Sequence, residues 1–185
     1  CCDAIFSKDK LVILDWIKTT FLEMEHTYYV DVSANLIHSS SLDWDKYLYQ
    51  RSAGLVIAPV MLCKLNGIKL SIEELLHVYK PLIIARQILD DIHDLNDDLQ
   101  HNRLTFVTSQ IYCKDTNVKP ALTHTQTAAI HAYSLIKINE YLQKAQKQVA
   151  KLPSNYHEVF IPEIKRLENI IDQQLTTHAV VQALL

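Results

Sequence analysis

The chain has 185 residues, with 18 Lys and Arg against 21 Asp and Glu, a formal charge of −3 and a pI near 6.3. That length supports one domain with a real core, and so slight a negative balance gives no footing for nucleic acid or an anionic membrane surface. Only two glycines, Gly54 and Gly67, and five prolines occur, which argues against an all-β or Rossmann fold and for long helices.

Five main helices are predicted. The first covers about 8–37, where Leu11, Leu14, Trp16, Ile17, Phe21, Leu22 and Tyr28 give a broad apolar side. Ser39-Ser40-Ser41 breaks it, and Ser41 is a candidate N-cap for a second helix reaching Leu65. That helix should bend near Gly54 and Pro59 and stop at Asn66-Gly67. Ser71-Ile72-Glu73-Glu74 reads as a capping box opening a third helix to about His101, kinked at Pro81. A polar connection over 102–119 holds one helical turn near Phe106–Tyr112. Thr123-His124-Thr125-Gln126 is a second capping box, opening a helix to about Ala150, and Pro153-Ser154-Asn155 separates it from a final helix carrying Pro162. The expected architecture is all-α, an antiparallel helical bundle.

Cys1, Cys2, Cys63 and Cys113 have no zinc spacing and form no evident disulfide frame, so a reduced, cytoplasmic chain is expected. The longest apolar run, 55–63, carries a proline and is too short to span a bilayer.

The third helix carries the most informative segment. Five aspartates, Asp90, Asp91, Asp94, Asp97 and Asp98, fall within nine residues. At about 100° per residue, Asp90, Asp94 and Asp98 lie at roughly 0°, 40° and 80° on the helix surface, with Gln87 and Asp91 in the same arc. Ala85, Ile88, Leu89, Ile92, Leu95 and Leu99 take the opposite sector. Like charges four residues apart destabilise a helix by roughly 0.2–0.5 kcal/mol per pair, so a cation is expected on the stripe. Hard Mg²⁺, with Mn²⁺ as a substitute, is held by one or two carboxylates together with substrate phosphates. The plain alternative is a solvated acidic face. Against that reading, the charge sits late in a helix, where it opposes the dipole, and Asp is a poorer helix former than Glu. The glycine and closing Glu of an EF-hand are missing.

The segment resembles the second aspartate-rich motif of class I isoprenoid synthases, the all-α family of polyprenyl diphosphate synthases, squalene/phytoene synthases and terpene cyclases. Gln87 followed by Asp90-Asp91-x-x-Asp94 is similar to the polyprenyl synthase pattern, and Asp94 with Asp98 and Arg103 to the squalene/phytoene pattern. Tyr47-x-x-x-Arg51-Ser52-Ala53-Gly54, about forty residues upstream, looks like the Lys-Thr segment or the arginine-bearing kinked helix of the same families. The resemblance implies that Asp90, Asp91, Asp94 and Asp98 hold Mg²⁺, with Asp90, Asp94 and Arg51 in the catalytic step. Gln87, Arg51 and Arg103 would bind a prenyl diphosphate substrate, with Tyr28, Tyr29, Ile57 and Ile83 lining its chain. The family's first aspartate-rich motif has no counterpart in 1–89 and is expected upstream of residue 1, so association with that half, or a homodimer, is expected.

Two other readings stand beside this one. A non-catalytic, regulatory subunit of the same fold shares the resemblance. Glu23-x-x-His26 and Glu74-x-x-His77, with Glu140 or Glu158, suggest a ferritin-like di-iron bundle, although Glu74 is already explained as the capping-box acid. His93 falls on a different face from the aspartates and is expected at the surface or in packing.

Overall fold

A computed structural model describes residues 10–33, 42–111 and 123–184. Cys1, Cys2, Cys113 and the serine break at 39–41 lie outside them. The described residues hold seven α-helices and no strand: α1 Lys10–Ser33, α2 Trp44–Ser52, α3 Gly54–Leu65, α4 Ile72–His93, α5 Leu95–Gln100, α6 His124–Val149 and α7 His157–Leu184. Among these residues no helix is long and apolar enough to cross a membrane.

Helix α4 is the centre of the bundle. It packs on α6 along one side and on α2 and α3 along another, while α7 lies against α6 and α1 against α2. Val78, Leu82, Ile84, Ala85, Ile88, Leu89 and Ile92 are all buried, so α4 is apolar round most of its circumference, as a core helix must be. From α6, Leu135, Ile138, Leu142, Ala145 and Val149 meet it at helical spacing, and Phe160, Ile164, Leu167 and Ile171 of α7 close the layer. Burying one such large aliphatic side chain contributes about 1.5–3 kcal/mol.

Local chemistry sets the boundaries. Ser71 Oγ accepts from Glu74 N at 3.1 Å and Glu74 Oε2 accepts from Ser71 N at 2.7 Å, the reciprocal pair expected of a capping box. Thr123 and Gln126 repeat the arrangement at the start of α6. At the end of α3, Gly67 has φ +74°; Ile68 N donates to Cys63 O at 3.0 Å and Gly67 N to Lys64 O at 3.1 Å. This is a Schellman stop, and its positive φ suits glycine.

Two predicted helices are each divided. The second begins not at Ser41 but at Trp44, where Asp43 accepts from Lys46 N at 3.1 Å, and it is interrupted at Ala53, just ahead of Gly54. The third ends at His93, and Asp94 turns the chain into α5 with φ −89° and ψ 3°. The electrostatics explain this second break. On one continuous helix, Asp97 and Asp98 would crowd the negative C-terminal end; starting a new helix at Leu95 puts them in its first turn, where the dipole favours them. The expected turn near Phe106–Tyr112 is a short 3₁₀ segment, Thr108–Gln110.

Candidate metal–diphosphate site

Asp94 is both the C-cap of α4 and the N-cap of α5. Asp94 N donates to Asp90 O at 2.9 Å and Asp98 N to Asp94 O at 2.8 Å, so backbone bonds link Asp90, Asp94 and Asp98 while the helix itself is interrupted between them. Their environments differ. Asp90 and Asp94 are exposed, and neither carboxylate makes a hydrogen bond or ion pair with another described residue. Asp91 and Asp98 are 2% and 3% exposed.

Asp91 faces α2 and is held on three sides. Its Oδ1 accepts from Gln87 Nε2 at 2.9 Å and from Arg51 Nη1 at 3.4 Å, and its Oδ2 accepts from Phe106 N at 3.2 Å. Ser52 Oγ donates to the Gln87 side-chain oxygen, so Arg51 and Ser52, the last two residues of α2, both reach α4. Burial pushes the Asp91 carboxyl up to about 6, and the charge of Arg51 and the Gln87 amide oppose that rise only in part. Burial likewise raises Asp98, against the hydrogen bond from Arg103 and the charge of Arg51.

A second Schellman turn sets Arg103 in place. At the end of α5, Arg103 N donates to Asp98 O at 2.8 Å and Asn102 N to Leu99 O at 3.4 Å, with Asn102 at φ 54°. The arginine is thereby folded back over its own helix. Its Nη1 lies 2.7 Å from Asp97 Oδ2 and 3.4 Å from Asp98 Oδ1. The following loop is latched by Thr108, whose hydroxyl donates to Arg103 O at 2.9 Å and accepts from Thr105 N at 2.7 Å. Phe106, which caps Asp91, stacks on Tyr133 of α6.

The structure therefore brings together Arg51, Gln87, Asp91, Asp98 and Arg103, with Asp90 and Asp94 on the solvent side. Comparison with family models, with characterised proteins and with solved structures gave no match.

Sequence reasoning missed Ser52 as the partner of Gln87 and the Thr105–Thr108 loop as the wall behind Asp91. Ser52 was visible inside the Tyr47–Gly54 motif. The loop carried no signal, because its contact with Asp91 runs through a backbone amide. Of the expected prenyl-chain lining, Ile83 is core and Ile57 half-buried, while the side chains of Tyr28 and Tyr29 lie outside those described. His93 is exposed and pairs with Gln174 of α7 at 2.8 Å.

Among the described residues no three His, Cys, Asp or Glu side chains are grouped so that they could hold a metal ion by themselves. Glu23, His26, Glu74 and His77 do not assemble a di-iron set, and Glu74 is occupied by Ser71. The exposed pair Asp90 and Asp94 is a different donor set. One or two carboxylates are what Mg²⁺ takes from a protein when phosphate oxygens complete its shell, and Asp90 and Asp94 are two that stand open to solvent.

Proposed function

We propose that this chain is the part of a class I isoprenoid synthase that carries the second metal motif, acting on a prenyl diphosphate with Mg²⁺. The observation that carries the reading is the meeting of Arg51, from the end of α2, with Asp91 and Gln87 of α4, beside two outward carboxylates. Motif resemblance alone required no contact between the Arg51 and aspartate segments. Their pairing gives a reason for both to be present.

In this reading Asp90 and Asp94 hold Mg²⁺, and Asp98 backs them from the buried side. Bound metal would supply charge neutralisation of the leaving diphosphate as its bond to the allylic carbon breaks. Arg51 and Arg103 would donate to phosphate oxygens, a task that suits the guanidinium fork. Asp91 orients Arg51, and Gln87 and Ser52 orient Asp91. Elongation, head-to-head condensation and cyclisation share this ionisation step.

A second reading, a non-catalytic subunit of the same fold, is favoured by the internal engagement of Asp91 and Asp98. Thermal melting separates the two. With Mg²⁺ and pyrophosphate together at about a hundredfold excess over the dissociation constant, the native state gains about 2.7 kcal/mol. The catalytic reading expects a shift that needs both partners and disappears in Asp94→Asn. No shift, either in this chain or with the first aspartate-rich motif supplied in trans, would overturn it.

A further inference from the structure

A cavity of about 570 Å³ lies where α4, α5, α6 and α7 meet, within the roughly 300–1,000 Å³ that small-molecule sites occupy. Ile92 and His93 line it from the end of α4, and Leu95 and Asn96 from the start of α5. It thus adjoins the break at Asp94, yet Arg51, Gln87, Arg103 and the five aspartates take no part in its wall. Nothing in the metal–diphosphate site accounts for it.

The wall has a definite chemistry. Its apolar part is aliphatic, from Ile92, Leu95 and Ile170. Its polar part includes the amides of Asn96, Gln173 and Gln174 and the hydroxyl of Thr127. Among the described residues it holds no Asp, Glu, Lys or Arg and no Phe, Tyr or Trp. Its two sides are tied together, because His93 Nε2 lies 2.8 Å from Gln174 Nε2 of α7. On α6, Thr127, His131 and Ser134 follow at spacings of four and three and so share one line of the helix. His131 Nε2 is closed off from solvent, and Ser134 Oγ is buried with no hydrogen-bond partner among the described residues. A polar line therefore runs from the cavity wall into the core.

We propose that this cavity binds an uncharged aliphatic molecule with a hydroxyl head, an aliphatic alcohol. A charged head would give up its water and meet no opposite charge in the wall. An aromatic body would find no Phe, Tyr or Trp ring to stack against. A bare hydrocarbon would displace water from the amides and from Thr127 without replacing those hydrogen bonds. A hydroxyl both donates and accepts, which suits amides and imidazoles that offer both, while its chain covers the three aliphatic side chains.

Calorimetric titration of the whole chain at about pH 8, where histidine is ordinarily uncharged, tests this. Octanol, octanoate and octylamine share one chain and differ in the head, and each is used below the concentration at which it aggregates. Octanol should bind saturably, one molecule per chain, and the two charged analogues at least about tenfold more weakly. Thr127→Phe fills the cavity from α6 and Asn96→Trp covers it from α5, so each should abolish binding, with far-UV circular dichroism verifying that the helices are kept. Asn96 is exposed, so its variant keeps the test sharp should Thr127→Phe fail to fold. Leu14→Ser, on an exposed side of α1, removes a competing apolar surface and should change nothing. No saturable binding by the wild type, equal affinity for the three heads, binding that survives in the folded cavity variants, or binding lost in Leu14→Ser would each overturn the proposal.

Discussion

Arg51 Nη1 stands 3.4 Å from Asp91 Oδ1, joining the last turn of α2 to the last turns of α4 across forty residues of chain. Arg51 is 28% exposed at the side chain and Asp91 only 2%, so the two are not equivalent. Removing the carboxylate leaves the Gln87 amide and the Phe106 N–H short of an acceptor and takes one acceptor from Arg51. Asp91→Ala should therefore cost about 2–4 kcal/mol. Arg51→Ala should cost less, because water reaches part of the guanidinium. Denaturant titration of both variants checks the order, and a larger loss in Arg51→Ala would contradict it.

Asp91 also ties stability to pH in an unusual direction. Its carboxyl is raised from 3.8 to about 6 in the folded chain. Between those values the folded state keeps a proton that the unfolded state has released. The contribution of this group is fully present below about pH 4 and is lost as pH rises through 6, an effect of about 3 kcal/mol. Capped or paired acids such as Glu74 and Glu163 are lowered and act oppositely, losing stability as pH falls. The clean readout is the difference between wild type and Asp91→Asn. That difference should move against the wild type as pH rises from 4 to 7, and a flat difference would show that Asp91 titrates normally.

Much of the fold was legible because its signals are local. The boxes at Ser71 and Thr123 and the stop at Gly67 each depend on residues within four positions of one another, so spacing alone located them. The division at Ala53 falls beside the bend expected near Gly54, while the one at Asp94 was not legible in the same way. Each interrupts a helix for one residue, and the one at Asp94 reflects a balance between the two helix ends that periodicity does not register. The site splits along the same line. The arc of Gln87, Asp90 and Asp94 follows from about 100° per residue, whereas Asp98 lies beyond the break. Which carboxylates turn inward does not follow from spacing, because that depends on Arg51 and Phe106 arriving from other segments.

Ligand binding should follow the same proton. If Asp91 must ionise to hold Arg51 toward a phosphate, Mg²⁺–pyrophosphate affinity should fall about tenfold per pH unit below 6 and level off above it. Pyrophosphate itself gains protons in this range, so Asp91→Asn serves as the reference and should lose only the part of the slope that the protein contributes. Calorimetric titration from pH 5 to 8 measures both. Equal slopes would remove Asp91 from the binding step.

Gly54 lies where α3 begins, and a Cβ built there would fall 2.8 Å from Met24 Sδ of α1. The obstruction is the far end of a flexible side chain that can swing aside. Helix propensity favours alanine over glycine by about 1 kcal/mol. Gly54→Ala should thus leave stability within about 1 kcal/mol of wild type, whereas Gly54→Val, with bulk that Met24 cannot yield to, should destabilise clearly. Binding of Mg²⁺–pyrophosphate should survive the alanine change. Loss of binding with stability retained would mean that the break at Ala53 needs an open backbone for the substrate, not for packing.

Asn102 offers a way to disturb the site without altering a charge. Its φ of 54° closes the turn that lays Arg103 over Asp97 and Asp98, and the left-handed region costs an ordinary residue about 1–2 kcal/mol. Asn102→Gly should be neutral or slightly stabilising. Asn102→Val should lose about that cost and, by loosening the turn, release Arg103 from its 2.7 Å contact with Asp97 Oδ2. If Arg103 serves a phosphate from this fixed position, Asn102→Val should weaken Mg²⁺–pyrophosphate binding several-fold while Asn102→Gly leaves it unchanged, even though every ionisable group remains. Should both variants bind as the wild type does, the position of Arg103 would matter only to the surface of α5, and Arg51 would be left as the guanidinium that meets the substrate.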